Sequence, residues 1–293
     1  MCAWLPIGVG MLRMSGAVWH GGSKPSCARV VMFALVMIAL SGLIGLSRRL
    51  GGLRHREQDY NLQGASAYLN TIMALVVLGL VLPNFTTSMS GPRLSSVQQI
   101  FLIVTTLILY GVFLAIQTRW HSEYFLEAKR PESGGAHEHG FAIRSTGFHT
   151  AMLLLYLIGV IVLAKKFAIP LDNSIERLGM PQAFAGAIVA GLVLAPEALS
   201  GIKAAMGNQL QRSVNILHGS VLASIGLTIP AVLTIGMITH RPITLGIDGG
   251  NLPLLLLTLA TTMVTFGSGR TSILQGCIHL LLFSVFLLLI FCP

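Results

Sequence analysis

Ten residues of this 293-residue chain are Asp or Glu, and one of them stands apart. Glu57, Asp59, Glu123, Glu127, Glu132, Glu138, Asp172, Glu176 and Asp248 lie in polar connections or at their edges, whereas Glu197 sits within the apolar stretch 183–199. A charge at membrane depth costs roughly 2.5–3.5 kcal/mol on insertion scales, so an acid kept there is a candidate for function. The plain alternative is a carboxyl that stays protonated or wet. Pro196 precedes Glu197 and has no N–H, which leaves the carbonyl of Leu192 without its helical donor. A broken helix here would set a freed carbonyl beside a carboxylate. That all-oxygen donor set suits hard cations such as Ca²⁺ or Na⁺, and makes Glu197 the expected metal ligand. A carboxylate stripped of water needs a proton or a cation, and competition between the two is the minimal physics of proton-coupled exchange.

Downstream, Ser213, Ser220, Ser224 and Thr228 recur at helical spacing beside Gly219, Ala223 and Gly226. These hydroxyls could complete a cation site, although small and hydroxylated residues also line ordinary helix contacts. His218 and His279 are isolated in apolar sequence and read as hydrogen-bonded packing residues. Glu132, His137, Glu138 and His139, with His149 beyond, fall in a Gly/Ser-rich stretch that fixes no ligand geometry and reads as a solvated linker. There is no phosphate-binding glycine loop, HExxH or GxSxG, so nothing points to an enzyme. An intramembrane hydrolase would need a nucleophile–base pair, such as a histidine bonded to a serine, that spacing alone does not supply. Cys2, Cys27, Cys277 and Cys292 form no CxxC pair.

The elements that must position these groups follow from composition. With 54% hydrophobic and 10% charged residues, the chain has more apolar surface than a soluble fold of this length can bury. The excess implies an all-α, polytopic membrane protein whose partner is the lipid bilayer. The pattern predicts about eight spans, near 28–47, 66–84, 97–118, 147–166, 181–203, 211–238, 250–267 and 272–292. The net charge of +9 is spread through the connections rather than gathered on a face, which argues against nucleic acid as a partner. More Lys and Arg fall after spans one, three, five and seven, including Arg48, Arg49, Arg54, Arg56, Arg119 and Arg270. That side is assigned to the cytoplasm. Residues 1–27, with Arg13 interrupting their apolar stretch, fit neither a span nor a signal peptide and read as an atypical, disordered segment.

Several stretches resemble the ChaA-type branch of the bacterial calcium/cation–proton exchangers: Tyr110–Thr118, Ala195–Lys203, Asn208–Arg212, Asn215–Ser224 and Gly269–Gly276. The resemblance runs from about residue 33 to the C-terminus. It implies two inverted-topology halves around a midplane site, each half carrying one acidic repeat. The acid of the second repeat falls on Glu197, and the Gly-Ser of the following helix on Gly219 and Ser220. It also implies exchange of Ca²⁺, Na⁺ or K⁺ for H⁺ in a bacterial cytoplasmic membrane, with no cofactor. Where the wider family has Gly-Asn before the acid, this chain has Val193 and Leu194.

On that template residues 28–118 correspond to three spans of the first repeat, 119–146 to a cytoplasmic loop, and 147–293 to the five spans of the second. The template's leading helix and the helices bearing the first repeat's acid have no counterpart, which reads as a truncated N-terminus and an incomplete inverted-repeat fold. Two functional expectations follow. One is a cation–proton antiporter working through Glu197, Leu192, Gly219, Ser220 and Ser224. The other is a transport-inactive fragment acting at most as a structural or interacting membrane protein.

Overall fold

A computed structural model describes residues 27–126 except 90, scattered residues between 147 and 177, and 178–292 except 241 and 248. Among the described residues six helices are long and apolar enough to cross a bilayer: α1 (Ala28–His55), α2 (Leu62–Asn84), α3 (Ser96–Trp120), α4 (Ala183–Met206), α5 (Leu210–Ile238) and α7 (Ile273–Phe291). Between the last two lies α6 (Leu252–Phe266), apolar but only 15 residues long. At 1.5 Å per residue it rises about 22 Å, short of a hydrocarbon core of about 30 Å. These seven helices stand where seven of the eight expected spans were placed. Most of the remaining one, 147–166, lies outside the described residues, as do the segment 1–26 and the His/Glu-containing stretch 127–146. No strand forms among the described residues, apart from an isolated bridge between Asp59 and Arg270.

Local chemistry sets the helix starts. Asn61 caps α2 by accepting from the amides of Gln63 (2.9 Å) and Gly64 (3.3 Å). Reciprocal capping boxes pair Ser95 with Gln98 at α3 and Ser272 with Gln275 at α7. Each of the first three helices also carries a π-helical stretch: Ile38–Leu43, Val77–Val81 and Ile116–Trp120.

Packing depends on backbones coming close, because lipid gives helices no hydrophobic reason to associate. Helix α7 runs antiparallel to α1: Gly42 faces Phe283, Gly45 faces Leu280, and Gly52 faces Ile273. At Gly276 a Cβ would lie 2.8 Å from the Arg49 nitrogen and 3.0 Å from the Gly45 oxygen. Helix α4 runs parallel to α1, with Gly186 against Val30 and Gly51 against Ala205. Helices α4 and α5 form an antiparallel hairpin through the short turn 207–209, and Gly201 meets Leu217 across it. Helix α5 is buried along most of its length, with α2 and α3 on its other sides.

Two sequence-based expectations change. Arg48, placed in a loop, lies inside α1, is 1% exposed, and leaves the count of loop charges. Its neighbour Arg49 is exposed, because consecutive helical positions point about 100° apart. The break at Pro196 is absent: α4 is helical from Gln182 to Met206 with the proline inside it.

Gly276→Val should force α1 and α7 apart at backbone contacts that cannot give. We expect a loss of about 1–3 kcal/mol, read as a lower unfolding temperature of the purified protein in detergent. An unchanged temperature would show that this crossing does not hold the bundle.

Candidate functional site

Glu197 is 5% exposed on α4, and its Oε2 has no hydrogen-bond partner among the described residues. Its place in the bundle follows from the contacts around it. Gly201, one turn further along the same face, packs on Leu217 of α5. Because the hairpin is antiparallel, Glu197 stands opposite the next turn of α5, at Ser220 and Val221. Ser213, Ser220, Ser224 and Thr228 share the Leu217 face at i, i+3 and i+4 spacing, and all four are buried. Among the described residues the Oγ atoms of Ser213, Ser220 and Ser224 lack partners, as does Glu197 Oε2. By this register Ser220 and Ser224 lie near the level of the acid, whereas Ser213 lies about two turns away, opposite Ala205. Buried polar atoms rarely go unpaired, so the gap suits a bound ion or water.

The neighbouring helices bring further oxygens to this level. The contacts of α4 with α1 at Val30 and at Gly51 place Glu197 beside Ser41 and Gly42, in the π-helical stretch of α1 that packs on α4. Ser41 is fully buried and donates to the Met37 carbonyl, leaving its lone pairs free to accept. Across α7, the level of Phe283 corresponds to Thr262 of α6, buried and donating to Thr258 O at 2.6 Å. Sequence reasoning missed both residues. For Ser41 the one usable signal was a hydroxyl isolated in an apolar run; Thr262 is one of four threonines in α6 and had none.

Two expected site residues are not brought in. The side chain of Leu192 is 55% exposed and Pro196 is exposed, so the carbonyl lacking its donor opens on the outward face of α4. Glu197 lies about 100° round the helix from there. Gly219 faces α2, where a Cβ would sit 3.5 Å from the Tyr68 hydroxyl. It makes room for that ring, which donates no group to Glu197 but accepts from Gln117 Nε2 at 2.7 Å.

The histidines are built into packing. His218 donates from Nδ1 to Val214 O (3.0 Å) and meets Phe266 edge-on, with ring centroids 4.6 Å apart. His279 Nε2 lies 3.2 Å from Thr265 Oγ1. Among the described residues no histidine bonds a serine, so the hydrolase reading gains no dyad.

At one end of the bundle the loops are knitted by side-chain amides. Gln58 donates to Ala205 O (2.8 Å) and Asn208 Oδ1 (3.1 Å), and its backbone pairs with Thr271. Gln211 accepts from the Asn61 amide (2.7 Å) and donates to Asn215 (3.0 Å), which donates to Phe125 O (2.5 Å). His55 adds a bond to Met206 O at 2.8 Å. The turn of the hairpin that carries Glu197 is thereby tied to the other helices.

Comparison with known proteins fits this arrangement. Residues 12–119 and 148–292 match the family described as sodium/calcium exchanger protein. The chain belongs to that family. The match starts inside the segment read from sequence as atypical. Within the exchangers, the chain is 45% identical over 282 residues to the putative ionic transporter y4hA of Sinorhizobium fredii (strain NBRC 101917 / NGR234), covering 96% of this chain and 75% of that protein. It is 33% identical over 280 residues to the sodium-potassium/proton antiporter ChaA of Escherichia coli (strain K12), covering 95% and 76%. The ChaA-type resemblance seen in the sequence is thus borne out. The crystal structure of the H⁺/Ca²⁺ exchanger CAX superposes with a TM-score of 0.73 at 17% identity, over 97% of this chain and 70% of that one, and shows the shared fold.

A buried carboxylate with one oxygen left unpartnered destabilises its own fold. In cation-free detergent at pH 8, Glu197→Met should stabilise the protein by about 1–3 kcal/mol. Added cation should raise the unfolding temperature of the wild type and leave the variant unmoved. A variant that unfolds earlier and still responds to cation would contradict this account.

Proposed function

We propose that this chain is a secondary active transporter that exchanges cations for protons across a bacterial cytoplasmic membrane, with Glu197 holding a proton and a cation in turn. One observation carries the reading: a desolvated carboxylate oxygen without a partner, set against two unpartnered serine hydroxyls within a membrane-length helical hairpin. Charge without water must be neutralised, and a proton or a cation does so at the same oxygen. Occupancy by one excludes the other, so movement of the site between the two sides couples their fluxes. Ser220 and Ser224 supply neutral oxygens to the cation, and Ser41 and Thr262, buried at the same level, are the next candidates.

Family membership and the named activities of the relatives support this class of cargo. The Escherichia coli relative is a sodium-potassium/proton antiporter, and the fold is that of an H⁺/Ca²⁺ exchanger. Ca²⁺, Na⁺ and K⁺ are therefore the cations to test. They are cargo rather than cofactors, and no covalent chemistry is involved. The donors are all oxygen, as hard cations require.

Everted membrane vesicles containing the chain should show dissipation of a pre-formed pH gradient on addition of Na⁺, K⁺ or Ca²⁺. Glu197→Gln should abolish the response, and Ser220→Ala or Ser224→Ala should raise the half-saturating cation concentration several-fold. Where one proton competes with the cation, that concentration should rise up to tenfold for each unit fall in pH. Equal responses from wild type and Glu197→Gln would refute the assignment.

A further inference from the structure

The bundle buries a second charge that the exchange site does not use. Arg48 is 1% exposed and stays protonated in any protein environment. Its guanidinium carbon lies 4.0 Å from the Phe266 ring centroid and 5.4 Å from that of Tyr60, and Nη1 donates to Gln275 Oε1 at 2.7 Å. Nε and Nη2, the edge that would grip a carboxylate, have no acceptor among the described residues. The nearby exposed acids Glu57 and Asp59 turn instead to Arg270, at 3.9 and 3.7 Å. The titratable groups packed around Arg48 are Tyr60 from the α1–α2 connection, whose hydroxyl approaches the guanidinium, His218 from α5 and His279 from α7, none of them a carboxylic acid. Gln275 belongs to the capping box of α7, so the charge also faces the positive end of that helix dipole. An aromatic face offsets part of the cost of burial, but among the described residues no carboxylate cancels the charge.

We propose that Arg48 is a fixed internal charge that sets the valence preference of the Glu197 site, disfavouring divalent relative to monovalent cations. This rests on the assignment of Glu197 as the exchange site. The register between α1 and α4 puts Glu197 level with Ser41 and Gly42. Arg48 follows six positions later, about 9 Å along the axis, and with about 8–10 Å between packed helix axes the separation is about 12 Å. At an effective dielectric of about 20, the repulsion at that distance weakens binding roughly tenfold for each unit of cation charge. A divalent ion meets it twice, whereas a proton and a monovalent cation each meet it once. Arg48 therefore leaves the balance between H⁺ and Na⁺ unchanged and shifts that between Na⁺ and Ca²⁺ by about tenfold.

The full chain, purified and reconstituted into liposomes, tests this through half-saturating Na⁺ and Ca²⁺ concentrations in wild type, Arg48→Gln, Arg48→Lys and Gln275→Glu. Arg48→Gln should improve Ca²⁺ relative to Na⁺ about tenfold, and Arg48→Lys, which keeps the charge, should hold the wild-type ratio. Gln275→Glu preserves the capping box and places a carboxylate beside an intact Arg48. It should reproduce the shift even if Arg48→Gln does not fold. A wild-type ratio in a folded Arg48→Gln or in Gln275→Glu overturns the proposal, as would a shifted ratio in Arg48→Lys. Loss of cation response in Glu197→Gln alongside unshifted Arg48 and Gln275 variants sinks only the role of Arg48. A retained response in Glu197→Gln removes the site assignment beneath both.

Discussion

Helices in a bilayer are not pressed together by water, so this bundle depends on how closely backbones can approach. The crossing of α1 and α7 makes this plain. Gly45 and Gly276 remove side chains from a contact where even one Cβ would meet main-chain atoms, and Gly52 makes room for the side chain of Ile273. That approach brings Arg48 under the cap of α7 and sets Gly42 against Phe283, at the height of Glu197. With α1 so placed, α4 lies along its other side and carries α5 inward as the second arm of the hairpin. The positions of both buried charges therefore depend on glycines that contribute no chemistry.

The bundle holds an acid and a base that do not meet. A carboxylate and a guanidinium in low dielectric would lower their burial cost by pairing. Here Glu197 faces serines and Arg48 faces aromatic rings and an amide. Direct pairing would fill the acid with a permanent counterion and end its exchange with solution. The two charges lie far enough apart to leave the carboxylate available, yet close enough for each to feel the other.

Much of this was legible in the sequence. Glu197 stood out because one acid in a long apolar run is visible without any fold. The hydroxyls of α5 were legible because i, i+3, i+4 spacing puts Ser213, Ser220 and Ser224 on one face. Gly219 enters the reading through the family resemblance and Leu192 through the carbonyl that Pro196 leaves without a donor; neither argument says which neighbour a face meets, and the two residues point to α2 and outward. Arg48 was hidden for a related reason. Apolar-run length marks a helix end at the first pair of bases, while the helix continues to His55 with one base inside and one outside. Ser41 and Thr262 share the level of Glu197 only through tertiary register, which no local pattern encodes.

The amide knitting at the end of the hairpin has a mechanical consequence. Gln58, His55 and Gln211 hold the 207–209 turn and its flanks at several points, and the link between Gln58 and Thr271 joins the loops on either side. Glu197 lies about 14 Å along α4 from Met206, and towards the other end α4 packs at Gly186 on Val30 of α1. The carboxylate is therefore held in register between two anchored levels, and the amides that fix the turn also fix its height against α1 and α5.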